Sequence, residues 1–273
     1  MRHSSTSASI AFLLVLLMLP CAAAGPFDNV AISPADIRAW ANEVITFEPT
    51  PSGSAAGLES NALGRADEVL VSLGDLDAAE IAQQNSPGSI TLSLPFAITD
   101  GPGWDFAVFE NAGNFFTEPF WFAELAYVEV SSNGTDFERF PSTSLNVEPG
   151  AGTADTEIEA GFGRDFAGVN ITNISNLAGI HPAGSGTGFD LADLAGTSVD
   201  VNNIEYVRII DIPGDGTFLD AAGNGILDAW PGGAENGGFD LDAVGARHLT
   251  PEPNSSSLFF IAIVACGLLR RRQ

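Results

Sequence analysis

Short runs in which apolar and polar residues alternate recur through the middle of the chain. Residues 89–96 (SITLSLPF) place Ile90, Leu92 and Leu94 on one face, and residues 104–109 (WDFAVF) place Trp104, Phe106 and Val108 together. Similar runs occupy residues 69–73, 125–131, 137–140, 204–212 and 239–246, and each reads as a strand. Asn133-Gly134 lies between two of them and signals a hairpin. Helical periodicity is confined to residues 34–41 (PADIRAWA), with proline in a first-turn position, and to residues 75–83. Residues 143–176 are polar, Gly-rich and without a clear period, and read as a long excursion within the same domain. Seven or more short strands joined by Gly- and Pro-rich links predict an all-β fold. The expectation is an antiparallel β-sandwich or jelly roll with long loops and one or two short helices.

The two ends break this pattern. Residues 1–24 combine Arg2, a ten-residue apolar run over 10–19, Pro20 and the small residues Ala22-Ala23-Ala24, as a secretory signal peptide does. Residues 251–273 begin with Pro251-Glu252-Pro253, continue through an apolar run over 258–269 and end on Arg270-Arg271-Arg272. At ~1.5 Å per residue the apolar run spans ~18 Å, short of a hydrocarbon core of ~30 Å. This tail resembles the PEP-CTERM sorting signal. The resemblance implies a bacterial envelope or extracellular-matrix destination and transient membrane anchoring. It also implies recognition by an exosortase-type membrane protease, with the arginines kept cytoplasmic. The expected organisation is therefore a signal peptide (1–24), one β-sandwich domain (25–250) and a sorting tail (251–273).

Composition sharpens this reading. The chain of 273 residues has ten basic residues, all arginine, against 35 acidic ones, for a net charge of −25. Residues 25–250 hold six arginines and 34 acids, a balance of −28. No basic patch can form, so nucleic acid is excluded as a partner. The absence of lysine removes Walker-type phosphate binding and Schiff-base chemistry. Both cysteines, Cys21 and Cys266, fall in the end segments, so the central domain has no disulfide and no thiolate metal site. Nineteen phenylalanines argue against a disordered acidic chain.

The central region also resembles a widespread family of bacterial secreted and cell-surface proteins. The resemblance covers roughly residues 65–248. It rests on Val71-Ser72-Leu73-Gly74, on Asp100-Gly101-Pro102-Gly103-Trp104-Asp105-Phe106-Ala107-Val108-Phe109-Glu110-Asn111, and on Glu124-Leu125-Ala126-Tyr127-Val128-Glu129-Val130-Ser131. It continues through Leu177-Ala178-Gly179-Ile180-His181-Pro182, Tyr206-Val207-Arg208-Ile209-Ile210-Asp211 and Gly238-Phe239-Asp240-Leu241-Asp242. It implies location and a sheet architecture similar to galactose-binding-like jelly rolls, which hold structural calcium and bind carbohydrate through loops. The analogy is one of fold.

Four constellations carry possible chemistry. The first is acidic: Asp105, Glu110, Asn111, Asp240 and Asp242, with Glu124 and Asp211 as weaker members. Alternation puts Asp240 and Asp242 on one strand face, and paired carboxylates there suit calcium, a hard cation taking six to eight oxygens. A solvated acidic face is the alternative. The second is Asp220-Ala-Ala-Gly-Asn224-Gly-Ile-Leu-Asp228, which matches a calcium loop at some positions but lacks ligands at the third and twelfth. A plain Asn-Gly turn is the better reading. The third is hydrolytic. Carboxylate pairs can cleave glycosides, but no Gly-x-Ser-x-Gly elbow is present. The fourth is aromatic: Phe116, Trp121 and Trp230 could stack on sugar rings of an extracellular polysaccharide, or the loop around 114–122 could plug one end of the sandwich.

The tetrapeptide Gly-Phe-Asp-Leu occurs at 188–191 and again at 238–241. It reads as two similar strand entries placing an acidic residue at a shared site. Together these features predict a non-catalytic secreted or surface protein stabilised by calcium. A carbohydrate-binding module and a glycoside hydrolase or esterase are the alternatives.

Overall fold

The computed structural model describes residues 25–51, 56–113, 119–146, 169–229 and 238–251. Most of them are extended. The strands in chain order are β1 (Ala31–Ile32), β2 (Ala39–Trp40), β3 (Glu43–Glu48), β4 (Val71–Ser72), β5 (Ser89–Ile98), β6 (Phe106–Glu110), β7 (Phe120–Trp121), β8 (Ala126–Ser131) and β9 (Glu138–Arg139). They continue with β10 (Thr143–Ser144), β11 (Val169–Asn170), β12 (Ile174–Ser175), β13 (Gly186–Phe189), β14 (Ile204–Asp211), β15 (Asp215–Leu219), β16 (Gly225–Leu227) and β17 (Asp240–Ala246).

Two antiparallel sheets form the sandwich. The first has the order β1-β13-β6-β17-β2, with β4 also paired to β17, and the second β3-β5-β14-β8-β9. Their inner faces supply one core, in which Ile90, Leu92, Val128, Val207 and Ile209 of the second sheet meet Phe106, Val108, Phe189, Leu241 and Val244 of the first. Phe106 stacks on Phe189 with ring centres 5.3 Å apart, and Phe140 meets both rings edge-on. The apolar alternation read from the sequence is what these faces use. Pro95, which has no N–H to donate, lies where the β5–β14 register slips between Ile204 and Tyr206.

The second sheet is covered on its outer face too. Leu125 and Tyr127, pointing away from the main core, pack with Val169, Ile171, Ile174, Leu177, Ile180, Ile212 and Ile226 in a second apolar cluster. The described parts of the 143–176 excursion therefore fold back as short strands, β10 on β12 and β11 on β7.

Three local expectations are corrected. Residues 34–41 do not form a helix: a 3-10 turn at Pro34–Asp36, capped by Ser33, gives way to β2. Trp40 is needed there to pack on Phe109, 5.2 Å away. Trp104 does not share the face of Phe106 and Val108. It precedes β6 and joins Ala107 and Phe109 in an outer cluster, with the Arg247 guanidinium 5.0 Å from its ring. The two Gly-Phe-Asp-Leu copies are not two strand entries: the first closes β13 and the second opens β17. Both strands flank β6 in the same antiparallel sense, with Phe189 opposite Phe106 and Leu241 opposite Glu110. The two aspartates thus lie at opposite ends of the sheet.

The helix expected at 75–83 is present as α1 (Ala78–Ala82), started by a capping box in which Asp77 and Glu80 bond each other's backbone N–H. The Asn133-Gly134 hairpin is present between β8 and β9, with Gly134 at φ 74° and the Asn133 side chain accepting from the Thr135 and Asp136 amides. Among the described residues, no helix is long and apolar enough to cross a membrane. The signal segment and the 258–269 run lie outside them.

Candidate metal centre

One end of the sandwich collects carboxylates from six separate segments. Glu110 is the last residue of β6, and Asp240 opens the neighbouring β17. Asp211 is the last residue of β14, opposite Ala126 on β8, and Glu124 lies two residues before that partner. Asp228 follows β16, and Asp75 follows β4. Backbone hydrogen bonds draw these loops together: Ile212 N–H donates to Leu125, Ala229 N–H to Ala123, Asp228 N–H to Gly214 and Leu73 N–H to Phe239. Close backbone approach is built in at Gly238, whose φ is +96° and where a Cβ would stand 2.4 Å from the Gly74 carbonyl carbon.

Five of the six are almost wholly enclosed: Asp75, Glu110, Glu124, Asp211 and Asp228 are each at most 5% exposed. Carboxylates are rarely buried without compensation, because desolvation penalises the charged form. Burial pushes the Glu110, Glu124 and Asp211 carboxyls well above the usual range, and mutual repulsion adds to it. The charges acting on Glu124 are those of Glu110, Asp240, Asp228 and Asp211. Those on Glu110 are Asp240 and Asp228, and those on Asp211 are Asp75 and Asp228. Asp240 is raised too, again chiefly by burial.

Hydrogen bonding satisfies only part of the group. Glu110 Oε2 accepts from the Ala112 N–H at 2.6 Å, and Asp211 Oδ1 accepts from the Phe239 N–H at 2.8 Å. Glu110 Oε1 and Asp211 Oδ2 are buried without a hydrogen-bond donor. Asn111 donates from Nδ2 to Asp240 Oδ2 at 3.3 Å. The arginines with described partners lie elsewhere. Arg139 and Arg208 both pair with Glu129 on the second sheet, and Arg247 lies over Trp104.

The acidic set expected from the sequence is therefore divided. Glu110, Asn111 and Asp240 come together with the weaker candidates Glu124, Asp211 and Asp228. Asp105 does not join them, because it precedes β6 at the opposite end from Glu110. There it is a fully buried acceptor: Oδ1 takes the Gly101 N–H at 2.8 Å and meets His248 Nδ1 at 2.7 Å, while Oδ2 takes the Leu191 N–H at 2.7 Å. Oxygens of Asp100, Asp105 and Asp190 lie within 4.8 Å of one another, the one carboxylate trio so close among the described residues. Both Asp105 oxygens are already used, and Asp190 caps the following 3-10 turn through the Ala192 N–H.

Asp242 accepts from the Asp67 and Glu68 amides rather than facing Asp240's neighbours. The register of β17 against β6 slips between Leu241 and Ala243, which breaks the simple two-residue alternation. Asp220 and Asn224 shape the turn between β15 and β16. Asp220 accepts from the Ala222, Asn224 and Ser144 amides and from Asn224 Nδ2. Burial alone would raise its carboxyl, but these donors outweigh it and hold it below the usual range. The sequence reading missed Asp75, whose position after Gly74 gave no periodic signal. The sequence reading assigned no role to His181, which lies before Pro182 in a Gly-rich loop and is buried with Nε2 lacking a partner. Burial lowers the His181 imidazole to about 4.

Of the aromatic set, Trp121 pairs with Val169 through β7 and β11 and packs against the second apolar cluster. Phe116 and Trp230 lie outside the described residues, as do Glu252, Pro253 and the three terminal arginines. No protein-family model matches the chain, and no curated protein matches it either.

Proposed function

We propose that the chain is a non-catalytic secreted, cell-surface or extracellular-matrix protein whose sandwich is stabilised by calcium. The observation that carries this reading is the buried acidic end, where Glu110 Oε1 and Asp211 Oδ2 lack a donor and the surrounding charges are further carboxylates. An uncompensated buried ion costs several kcal/mol, so at neutral pH such a group needs protons or a cation. Oxygen-only ligands without thiolates fit calcium, and a domain without disulfides gains a staple from it.

The signal segment and the Pro251-Glu252-Pro253 tail support export through a PEP-CTERM and exosortase-type route. Calcium at ~100 times its dissociation constant adds ~2.7 kcal/mol, a rise in melting temperature of roughly 5–10 °C for a domain of this size. Thermal melts in EDTA and then in excess calcium test the reading. A melting temperature indifferent to both would overturn it.

A further inference from the structure

We propose that a groove on the outer face of the second sheet, lined by Glu43, Ser93, Phe96, Glu205 and Tyr206, is a binding site for a small organic ammonium ion. This is independent of the calcium reading, because none of these residues belongs to the acidic end and the test needs no metal.

The groove follows from how three strands meet. Leu92 and Val207 point into the core, so their neighbours Ser93 and Tyr206 point outward, as Glu43 does beside Val44. The register sets these outward residues in a row, Glu43 opposite Ser93 on β5 and Ser93 opposite Tyr206 on β14. With neighbouring strands ~4.8 Å apart, Glu43 and Tyr206 stand on backbones roughly 10 Å apart. Just beyond this row the β5–β14 ladder breaks. Glu205 alone stands opposite residues 94–97, between the pairs Ile204–Ile98 and Tyr206–Ser93. The surplus residues form a bulge in which Pro95 has no N–H to pair, and Phe96 becomes one wall of the groove. The hollow measures about 280 Å³, at the small end of the range for small-molecule sites.

The chemistry of the lining points to the ligand. It offers two carboxylates, two hydroxyls, two aromatic rings and no basic side chain. Arg208, the next residue on that face of β14, is tied to Glu129. Neighbouring polar groups steady the carboxylates: Glu43 accepts from the Ser93 hydroxyl at 3.4 Å, and Glu205 accepts from Asn203 Nδ2 at 3.1 Å. Anions are repelled by such a lining. A bare metal ion has no use for the rings, and among the described residues the carboxylates that crowd to ligand distance are Asp100, Asp105 and Asp190. A neutral sugar would meet acceptors in excess, with two hydroxyls as the side-chain donors. An ammonium ion with an alkyl body uses both kinds of surface. The carboxylates offset its charge, and the faces of Phe96 and Tyr206 attract its methyl groups. Phe96 is 37% exposed, an aromatic ring held open to solvent at the rim.

The chain has two tyrosines: Tyr206 in the groove, and Tyr127, which is 3% exposed and donates its hydroxyl to the Leu219 carbonyl. Fluorotyrosine labelling therefore gives one reporter at the site and one internal control. The test is fluorine NMR of the labelled protein titrated with choline, with its neutral isostere neohexyl alcohol, and with glucose. The expected result is a saturable shift of the Tyr206 signal with choline, a Tyr127 signal that stays in place, and no saturable shift with either neutral compound. Added salt should weaken the response, since the charges are at the surface. Glu43→Gln and Glu205→Gln should each weaken choline binding about two- to fivefold, the effect of losing one exposed charge partner, and Phe96→Ala by a similar factor. All three side chains are exposed, and the Tyr127 signal of each variant reports that its fold is intact. A Tyr206 signal that choline leaves unmoved overturns the proposal. An equal response to neohexyl alcohol overturns it by making the groove merely apolar, and a response to glucose alone by making it a saccharide site. Wild-type affinity in all three variants places choline elsewhere and overturns it as well.

Discussion

Asp211 Oδ1 accepts the Phe239 backbone N–H at 2.8 Å, joining the last residue of β14 in one sheet to the residue before β17 in the other. The bond crosses the sandwich at the acidic end and uses only one of the two carboxylate oxygens. Its contribution separates from that of the charge. In EDTA, Asp211→Ala should be less stable than Asp211→Asn by about 1–3 kcal/mol, because alanine leaves the buried amide unsatisfied and asparagine still accepts from it. Denaturant unfolding of both variants measures the difference, and equal midpoints would show that the bond contributes nothing.

At the opposite end, Asp105 gathers the Gly101 and Leu191 amides and His248. Asp105→Ala removes the shared acceptor of all three and should cost about 3 kcal/mol or more. Calcium should shift the melting temperature of this variant as much as that of wild type. A variant that unfolds at the wild-type denaturant midpoint would contradict the role assigned to the carboxylate.

His181 makes the protein acid-sensitive in a defined window. Its imidazole is lowered from 6.5 to about 4 by burial, so the folded state resists a proton that the unfolded chain accepts. The stability gained by keeping the ring neutral is complete above about pH 6.5 and is lost as pH falls from there towards 4, by about 3 kcal/mol in all. His181→Gln should abolish that slope. The difference between wild-type and variant stability, followed in EDTA from pH 7 to pH 4, isolates the imidazole from the carboxylates, and a flat difference would rule the effect out.

Gly238 is the backbone position on which the acidic end closes. With φ at +96° and the Gly74 carbonyl carbon 2.4 Å from any added Cβ, Gly238→Ala combines conformational strain with a backbone clash. A loss of about 2 kcal/mol or more is expected from chemical denaturation. By contrast Gly103→Ala, at a φ of +73° with no atom within 4 Å of the added Cβ, tests the strain alone and should cost less.

The strand framework was legible because a half-buried strand must alternate. Ile90 and Leu92, Phe106 and Val108, and Val128 and Val130 all point into the core as their spacing requires. The Asn133-Gly134 turn was legible for a similar reason, since few residues tolerate its backbone. What the sequence could not convey was which ends of strands meet. Asp105 and Glu110 are five residues apart and look like one cluster, yet a strand carries them to opposite edges of the sheet. Asp75 carries no local signal and Asp228 only a partial calcium-loop pattern; the pairing of β17 with both β4 and β6 brings the first segment to Glu110, and the backbone bonds of Asp228 to Gly214 and of Ala229 to Ala123 place the second. The helix read into residues 34–41 failed because Trp40 gains more by packing on Phe109 than the segment gains from its own propensity.

The placement of β17 has a consequence for how the chain can be assembled. It is the last strand among the described residues, yet it lies inside its sheet, hydrogen-bonded to β6, β2 and β4. A chain made or threaded from its N-terminus therefore holds β6 as an open edge until residue 246 has emerged. Through that interval the edge can accept β17 of another copy as readily as its own. Completion of the sheet, and of the acidic end with it, waits on residues 240–246, and truncation before residue 240 leaves a strand template in place of a closed sandwich.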